Sequence, residues 1–513
     1  MQDTLCIVFL LLAVGVESKG DAEDTQPLCN TGSGRSSSDF SVGHLLVIPA
    51  DGSHWLGLKA IAQELGRRGH RVTAVIPEIS MTMGPGEHYD TLIYPVSFGR
   101  EAIDEMMAGI TETLRSASQS LFERVNGRIL HLQKRFDAVL TDPLVPTGSL
   151  IARKLGLPTV NLLRGIPCGM DWTATACPSP PSYVPRLLTG FTDRMTFKQR
   201  VINTLVRALE PTLCRLLYWR FEDITRRFLG EDVGLAEVLS QADIWLQRID
   251  FALEFPRPLM PNVVLVGGIN CEVTNPLPEE LEPWVSAEHG FIVFTLGSMV
   301  SNLPEEITAV FVEAFRTIPQ KVIWRYTGPV PDNLPENVKV MKWVPQNDLL
   351  AHPGARAFIT HSGSHGIYEG LCHAVPMVMV PLGGDQPDNA MRMETRGAGV
   401  VLDITRVTVD DLLHALDEVV NNTRYKESLK MLSAIHKDRP MEPLALSVYW
   451  TEYVMRHKGA PHLRPAAHNL NWFQYHSLDV IALLVTVVML VVMVTFKCIA
   501  LCLRRVTRKK KRD

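Results

Sequence analysis

The chain has little cysteine, and none of it is spaced for zinc. Cys6 lies in an N-terminal apolar run, and Cys498 and Cys502 lie in a C-terminal one. The other six (Cys29, Cys168, Cys177, Cys214, Cys271 and Cys372) contain no short C-x-x-C-type pair, which excludes a zinc-ribbon or finger module. Positive charge is not in excess either. Lys and Arg number 51 against 55 Asp and Glu, and seven of the basic residues fall in 504–513. The remainder is acidic, which argues against nucleic acid as a partner. No short-period repeat is present, so a solenoid is excluded. Charged residues make up 21% and hydrophobic residues 46%, a globular composition with an apolar surplus.

Two segments account for that surplus. Residues 5–16, LCIVFLLLAVGV, are too few to span a bilayer and read as the apolar core of a secretory signal peptide ending near Gly20. Residues 480–496, VIALLVTVVMLVVMVTF, reach about 26 Å as a helix, and extension through Leu503 completes a crossing of a roughly 30 Å core. The basic tail RRVTRKKKRD after it places that end in the cytosol. Its last four residues, Lys510-Lys511-Arg512-Asp513, resemble the dilysine signal that returns type I proteins to the endoplasmic reticulum. The expected arrangement is a single-pass type I protein of that membrane with its bulk in the lumen. The six remaining cysteines would then meet an oxidising compartment, where a Cys168–Cys177 bridge is conceivable. Asn421-Asn422-Thr423 is an N-glycosylation acceptor if exposed.

A length of 513 residues favours two domains. The stretch 21–41 is polar and rich in Ser and Gly, and reads as a lead-in. Strand 45–49 (LLVIP), helix 56–68 and strand 71–76 (RVTAVI) then form a β-α-β unit, hence a parallel sheet. A helix-like stretch covers 111–135, and strands end at Thr141 and at Leu162. Residues 167–190 read as an irregular loop on the acceptor side, and 195–230 as an amphipathic helix. NPLPEELEP, 275–283, reads as the link between domains. Beyond it strands are expected at 291–296, 321–326, 338–343, 357–360 and 376–380, with helices at 305–318, 364–373 and 387–396. The expected fold class is α/β, two Rossmann-like doubly wound domains facing a cleft, with a C-terminal transmembrane helix. The boundaries are 1–20 signal, 21–275 acceptor-binding domain, 276–440 nucleotide-sugar domain, 441–478 a segment leading to the membrane, 479–503 the span and 504–513 the tail.

In an open α/β sheet, ligands sit beyond the carboxyl ends of the strands. Gly297 lets backbone approach a phosphate at the first strand end of the second domain, and Ser298 supplies a hydroxyl. The run THSGSHG ends another strand and opens a helix. Gly363, Ser364, His365 and Gly366 there present free N–H groups and the positive dipole end to a diphosphate, and His361 adds a donor. Glu369, farther along that helix, suits the two hydroxyls of a ribose. Trp343 offers a face to a uracil ring, and Gln346 can read a base or ribose edge. Asp385 and Gln386, after a Gly-Gly turn, suit adjacent sugar hydroxyls. The i, i+4, i+8 spacing of His361, His365 and Glu369 resembles a metal set. However, His361 precedes the helix and the Glu-beside-His order of zinc proteases is absent, so no metal is expected.

In the first half, His54 follows strand LLVIP and Asp142 follows strand AVLT. As parallel neighbours these strands would deliver both side chains to one edge, where imidazole acts as a general base and carboxylate orients it.

The run from Trp343 to Gln386 resembles the signature of the UDP-glycosyltransferases. The stretch from Cys271 to Lys511 resembles the shared C-terminal half of vertebrate family 1 UDP-glucuronosyltransferases. The first half matches in islands: IPADGSHWLGL, FDAVLTDP, RGIPCGMDW and FPRPLMPNVVLVGGINC. The resemblance implies a GT-B fold, UDP-glucuronic acid as co-substrate with no other cofactor, small lipophilic acceptors, and homo- or hetero-oligomers with related transferases. It also places Arg248, in WLQRIDF, beside the uronate carboxylate. Alternatives are the same fold using UDP-glucose or another UDP-sugar, and a non-catalytic UDP-binding membrane subunit.

Overall fold

The computed structural model describes residues 42–96, 136–271, 274–298, 300 and 303–509. The expected signal peptide, the lead-in 21–41, Cys29, the stretch 111–135 and the dilysine-like end lie outside the described residues.

Thirteen strands form two sheets among the described residues. The first holds β1 (His44–Ile48), β2 (Arg71–Pro77), β3 (Asp90–Tyr94), β4 (Ala138–Thr141), β5 (Thr159–Leu163), β6 (Ile244–Gln247) and β7 (Val263–Leu265) in the order 3-2-1-4-5-6-7. The second holds β8 (Phe291–Thr295), β9 (Lys321–Arg325), β10 (Val338–Met341), β11 (Ala355–Thr360), β12 (Met377–Met379) and β13 (Gly399–Val401) in the order 10-9-8-11-12-13. Every pairing is parallel. Parallel strands need crossovers, and the crossover helices cover both faces. That is why AVLT, TVNLL, IWLQ and FIVFT are buried along their whole length and read as unbroken apolar runs.

Strand order reverses once in each sheet, between β1 and β4 and between β8 and β11. At each reversal the successive helices cross to opposite faces and leave a crevice at the strand ends. The register sets the crevice floors: Ile48 pairs with Thr141 in the first sheet and Thr295 with Thr360 in the second.

The first core joins Leu45, Val47, Trp55, Leu58 and Ile61 to Val448, Val454 and Met455. The last three belong to the helix Pro443–His457, so the chain completes the second lobe and then crosses back to finish the first. Phe294, Phe311 and Trp324 anchor one face of the second sheet, with Phe294 and Trp324 stacked at 4.9 Å. Helix Leu478–Lys509 contains a 28-residue stretch, Leu478–Arg505, long and apolar enough to cross a membrane, and its apolar side chains are exposed.

The structure departs from the sequence reading in several places: helices Thr147–Leu155, Val409–Asn421, Thr423–Lys437 and Pro443–His457 were not expected, and helix Met170–Ala174 lies inside the stretch read as irregular. Strands β3, β6, β7 and β13 were not anticipated. β7 and β13 have three residues each, too few to show a pattern, and β3 is a half-exposed edge strand. Helix Ser53–Arg67 begins three residues before the expected 56, so His54 lies in its first turn and not in a loop. The conceivable Cys168–Cys177 bridge is replaced by Cys168–Cys214, with a second bridge joining Cys271 to Cys372, and Cys177 is free and buried. The cause is packing. The long helix Phe197–Leu229 lies against the turn Pro167–Gly169 and carries Cys214 to Cys168, while helix Met170–Ala174 separates Cys177 from it.

Candidate active site

The crevice of the first lobe brings His54 and Asp142 together. His54 Nδ1 lies 2.6 Å from Asp142 Oδ2. Asp142 is buried, 1% exposed, whereas the His54 side chain keeps 26% exposure. The Leu144 N–H donates to Asp142 Oδ1 at 2.9 Å, so both carboxylate oxygens are used and the group cannot rotate away. With Nδ1–H donated to Asp142, the lone pair sits on Nε2. Asp51, three residues before His54, accepts from Ser80 Oγ, Met81 N–H and Thr82 Oγ at 2.8–2.9 Å and ties the loop after β2 to the turn that carries His54.

The crevice of the second lobe is built on glycine. Gly297 has φ +80°, and a Cβ on it would lie 2.5 Å from the His361 ring; a Cβ on Gly363 would lie 2.5 Å from His361 Nε2. The imidazole is therefore held between two bare backbones. Its Nδ1 is buried without a partner, and burial lowers its pKa to about 4, so it stays neutral at pH 7. Ser362 between them takes φ +66°, a conformation uncommon for a side-chain-bearing residue. Helix Ser364–Cys372 starts at Gly363 with no side-chain cap, and its first internal bond is Ile367 N–H to Gly363 O. The N–H groups of Ser364, His365 and Gly366 thus point out of the helix start as an anion cradle. Arg325 donates to the Gly297 carbonyl and stands 5.5 Å from the Trp343 ring centre.

The other expected donor-side residues sit around this cradle. Trp343 lies past the end of β10 and is 58% exposed, so its face is open. Gln346 opens helix Gln346–Ala351, accepts from Thr295 Oγ and donates to Glu369. Burial pushes the Glu369 carboxyl up to about 7, against the lowering effect of Gln346. Ser298 follows β8 in the turn that carries Gly297. Asp385 Oδ2 accepts from Asn389 Nδ2 at 2.8 Å. Gln386 Oε1 accepts from Leu382 N–H at 2.7 Å and holds the Gly-Gly turn. His361, His365 and Glu369 do not converge as metal ligands; the metal-competent group among the described residues is Cys271, Cys372 and His436.

The two crevices meet. Arg248 follows β6 of the first lobe and donates to His365 Nε2 in the second, and Asn270 faces His365 Nδ1 at 3.2 Å. Arg248 is 5% exposed, its Nε has no partner, and it makes no carboxylate ion pair among the described residues. Burial first, then the charges of Arg248 and His54, push His365 well below its ordinary value, so it is neutral beside the guanidinium.

Sequence reasoning missed a second junction. Arg164, just past β5, pairs with Glu254 and donates to Asn389 Oδ1 at 2.8 Å. Glu254 Oε2 also stands 2.9 Å from Arg392 Nε, a charge contact bent away from hydrogen-bond alignment. Asn389 in turn donates to the Ser362 carbonyl and to Asp385. One amide thereby links the first lobe, the His361 turn and the Asp385 carboxylate. The only sequence signal for this junction is an Arg placed just after an apolar strand.

Two facing doubly wound lobes, with the His54–Asp142 contact at one strand-order reversal and an uncapped, glycine-rich helix start at the other, have the architecture of a GT-B glycosyltransferase. The fold agrees with solved structures. The glycotransferase of kitacinnamycin matches at TM-score 0.56 and 20% identity, covering 82% of this chain and 99% of its own. Os79 from O. sativa, in complex with UDP, matches at TM-score 0.57 and 17% identity over 80% and 100%. The family model "UDP-glucoronosyl and UDP-glucosyl transferase" matches residues 43–130 and 126–513. Relatives include UDP-glucuronosyltransferase 1A5 of Rattus norvegicus, 50% identical over 89% of this chain and 91% of its own, and UDP-glucuronosyltransferase 1A6 of Homo sapiens, 48% identical over 91% and 93%. The chain belongs to the UDP-glucuronosyl and UDP-glucosyl transferase family.

Proposed function

We propose that the enzyme moves glucuronate from UDP-glucuronate to hydroxyl, amine or carboxyl groups of small lipophilic acceptors, with inversion. The reading rests on the His54–Asp142 pair, 2.6 Å apart, at the lip of a crevice whose opposite wall is the diphosphate cradle.

In this reading His54 Nε2 takes the acceptor proton as its oxygen attacks the anomeric carbon. The bond from that carbon to the diphosphate oxygen breaks on the far side. An α-linked donor so gives a β-glucuronide. Asp142 holds the ring and stabilises the imidazolium. The N–H groups of Ser364, His365 and Gly366, with Ser298 and His361, receive the departing diphosphate charge. No cofactor beyond the UDP-sugar has a role in these steps. Trp343 stacks on the base, Gln346 reads its edge, and Glu369 accepts from the ribose. Asp385 and Gln386 face the sugar hydroxyls, Gln386 after releasing the Gly-Gly turn. Arg248 is the counter-ion of the uronate. A buried guanidinium with no carboxylate partner favours a charged sugar over UDP-glucose, because a neutral donor leaves the cation uncompensated.

We place the lobe boundary at 275/276, and the protein in the endoplasmic reticulum membrane with both lobes luminal and the short basic tail cytosolic. The experiment is a donor-by-acceptor screen of the full chain in membranes, with product masses recorded. A product heavier by glucuronate supports the reading. Transfer from UDP-glucose alone, or no transfer with UDP still bound, overturns it.

A further inference from the structure

Cys271, Cys372 and His436 are far apart in sequence and form no local motif, yet the fold converges them. One ligand atom from each lies within 4.8 Å of the other two, and all three residues are at most 2% exposed. Cys271 ends the first lobe's chain before the link. Cys372 ends helix Ser364–Cys372, and His436 lies near the end of helix Thr423–Lys437. A Cβ on Gly268 would sit 2.5 Å from His436 Nε2 and 3.0 Å from Cys271 Sγ, so nitrogen and sulfur border the same space beside a bare backbone. The other ring nitrogen, Nδ1, stands 3.3 Å from Asp250 Oδ2, a charge contact bent away from hydrogen-bond alignment. Asp250 is itself fixed, since its Oδ1 accepts the Ala252 N–H at 2.6 Å. A carboxylate behind the far nitrogen of a histidine is the arrangement that sets the tautomer of a metal-ligating imidazole.

We propose that these three residues form a redox-gated site for a thiophilic divalent cation, zinc being the fit. In the structure the two sulfurs are joined as a disulfide, and the site is closed. Two equivalents of a small thiol, or one of a dithiol, open it. The S–S bond breaks, each sulfur takes a proton, and the reductant leaves as its own disulfide. The cation then displaces both protons to solvent and binds two thiolates and Nε2, leaving one position for an outside ligand. Zinc bonds of ~2.3 Å to sulfur and ~2.0 Å to nitrogen put tetrahedral ligand atoms roughly 3.5–3.8 Å apart, so the two sulfurs, bonded here across a Cα–Cα distance of 6.3 Å, must separate to that spacing once reduced. Charge favours the choice as well. Two thiolates cancel a divalent cation, so the filled site is neutral and tolerates burial, whereas magnesium or calcium would lack oxygen ligands. Either state ties the end of the first lobe to the helix whose start forms the anion cradle.

The test uses the full chain with Cys498→Ser and Cys502→Ser, which removes the two thiols of the exposed membrane helix. Zinc is measured by elemental analysis and competitive titration, before and after reduction and removal of the reductant, with far-ultraviolet circular dichroism as the check of fold. The oxidised chain should hold no zinc and the reduced chain one ion. Cobalt in its place should give a thiolate charge-transfer band. His436→Ala should weaken zinc at least tenfold, and Asp250→Asn by about 10–100-fold. Because reduction also opens Cys168–Cys214, a Cys168→Ala chain is included, and it should bind zinc as the parent does. Equal zinc in the reduced parent and the reduced His436→Ala chain overturns the proposal. So does loss of zinc in Cys168→Ala, or a reduced chain that unfolds and is not restored by zinc.

Discussion

His54 and Asp142, 88 positions apart in sequence, are joined by a 2.6 Å contact because β1 and β4 are parallel neighbours on either side of the first sheet's order reversal. The geometry fixes which ring nitrogen is free. Replacing His54 with Ala should lower kcat by about 10²–10⁴, the usual worth of a general base, while inhibition by UDP stays unchanged. Asp142→Asn should lower kcat at similar UDP affinity. Steady-state kinetics with a phenol acceptor and UDP titration check both.

Arg248 should govern which sugar is accepted. Its guanidinium is buried with a neutral imidazole as its nearest partner. Arg248→Met should reduce the preference for UDP-glucuronate over UDP-glucose by about 30-fold or more, the lower bound for truncating one half of a buried charge pair. Donor competition with product masses reads the ratio. An unchanged ratio assigns the uronate to another cation.

Glu369 should make donor binding depend on pH. Burial raises its carboxyl from 4.5 to about 7. The raised value means that its contribution to ligand-free stability is present below the unfolded value and is lost as pH rises through about 7. Ribose hydroxyls need the ionised form as acceptor, so UDP affinity should move the opposite way and rise between about pH 6 and pH 8. Thermal denaturation with and without UDP measures both slopes, and Glu369→Gln should flatten each relative to the parent.

The glycines around His361 should be irreplaceable. Gly297→Ala adds a Cβ 2.5 Å from the ring at a φ of +80°, and Gly363→Ala adds one 2.5 Å from Nε2. The left-handed backbone adds about 1–2 kcal/mol at Gly297. Displacing the ring should weaken UDP binding by about tenfold or more, the worth of one hydrogen bond to a charged group. Calorimetry with UDP checks this.

Glu254 holds the lobes in register. Burial alone would raise its pKa, but the charges of Arg164 and Arg392 outweigh that and hold it below the ordinary value. The stability it contributes is present above the unfolded value and lost as pH falls through the depressed one. Glu254→Gln leaves buried cations uncompensated and should cost about 3–5 kcal/mol, seen as a lowered Tm. A smaller loss confined to donor KM would show that the junction aligns the sugar site without holding the fold.

Much of this architecture was legible because buried parallel strands announce themselves. LLVIP, AVLT and FIVFT read as strands on sight, and ligands belong at their carboxyl ends. That rule singled out the positions of His54, Asp142, His361 and Asp385, and for His54 and Asp142 the family resemblance added to it. What escaped depends on pairing across distance. Arg164 and Glu254 are ordinary charged residues until the lobes meet. Cys168 finds Cys214 only because a 33-residue helix folds back over it. The three-residue strands at the sheet edges carry too few side chains to show a period. The bond from the Leu382 N–H to the Gln386 oxygen, which holds the turn before it, is one no spacing rule reveals.

Helix Pro443–His457 seals the core of the first lobe, and the chain then stays pinned there: the Ala460 N–H donates to Asp243 Oδ1 at 2.6 Å before the apolar helix begins at Leu478. The tether to the candidate membrane span therefore leaves from the lobe that carries His54 and Asp142, not from the lobe that precedes it in the chain.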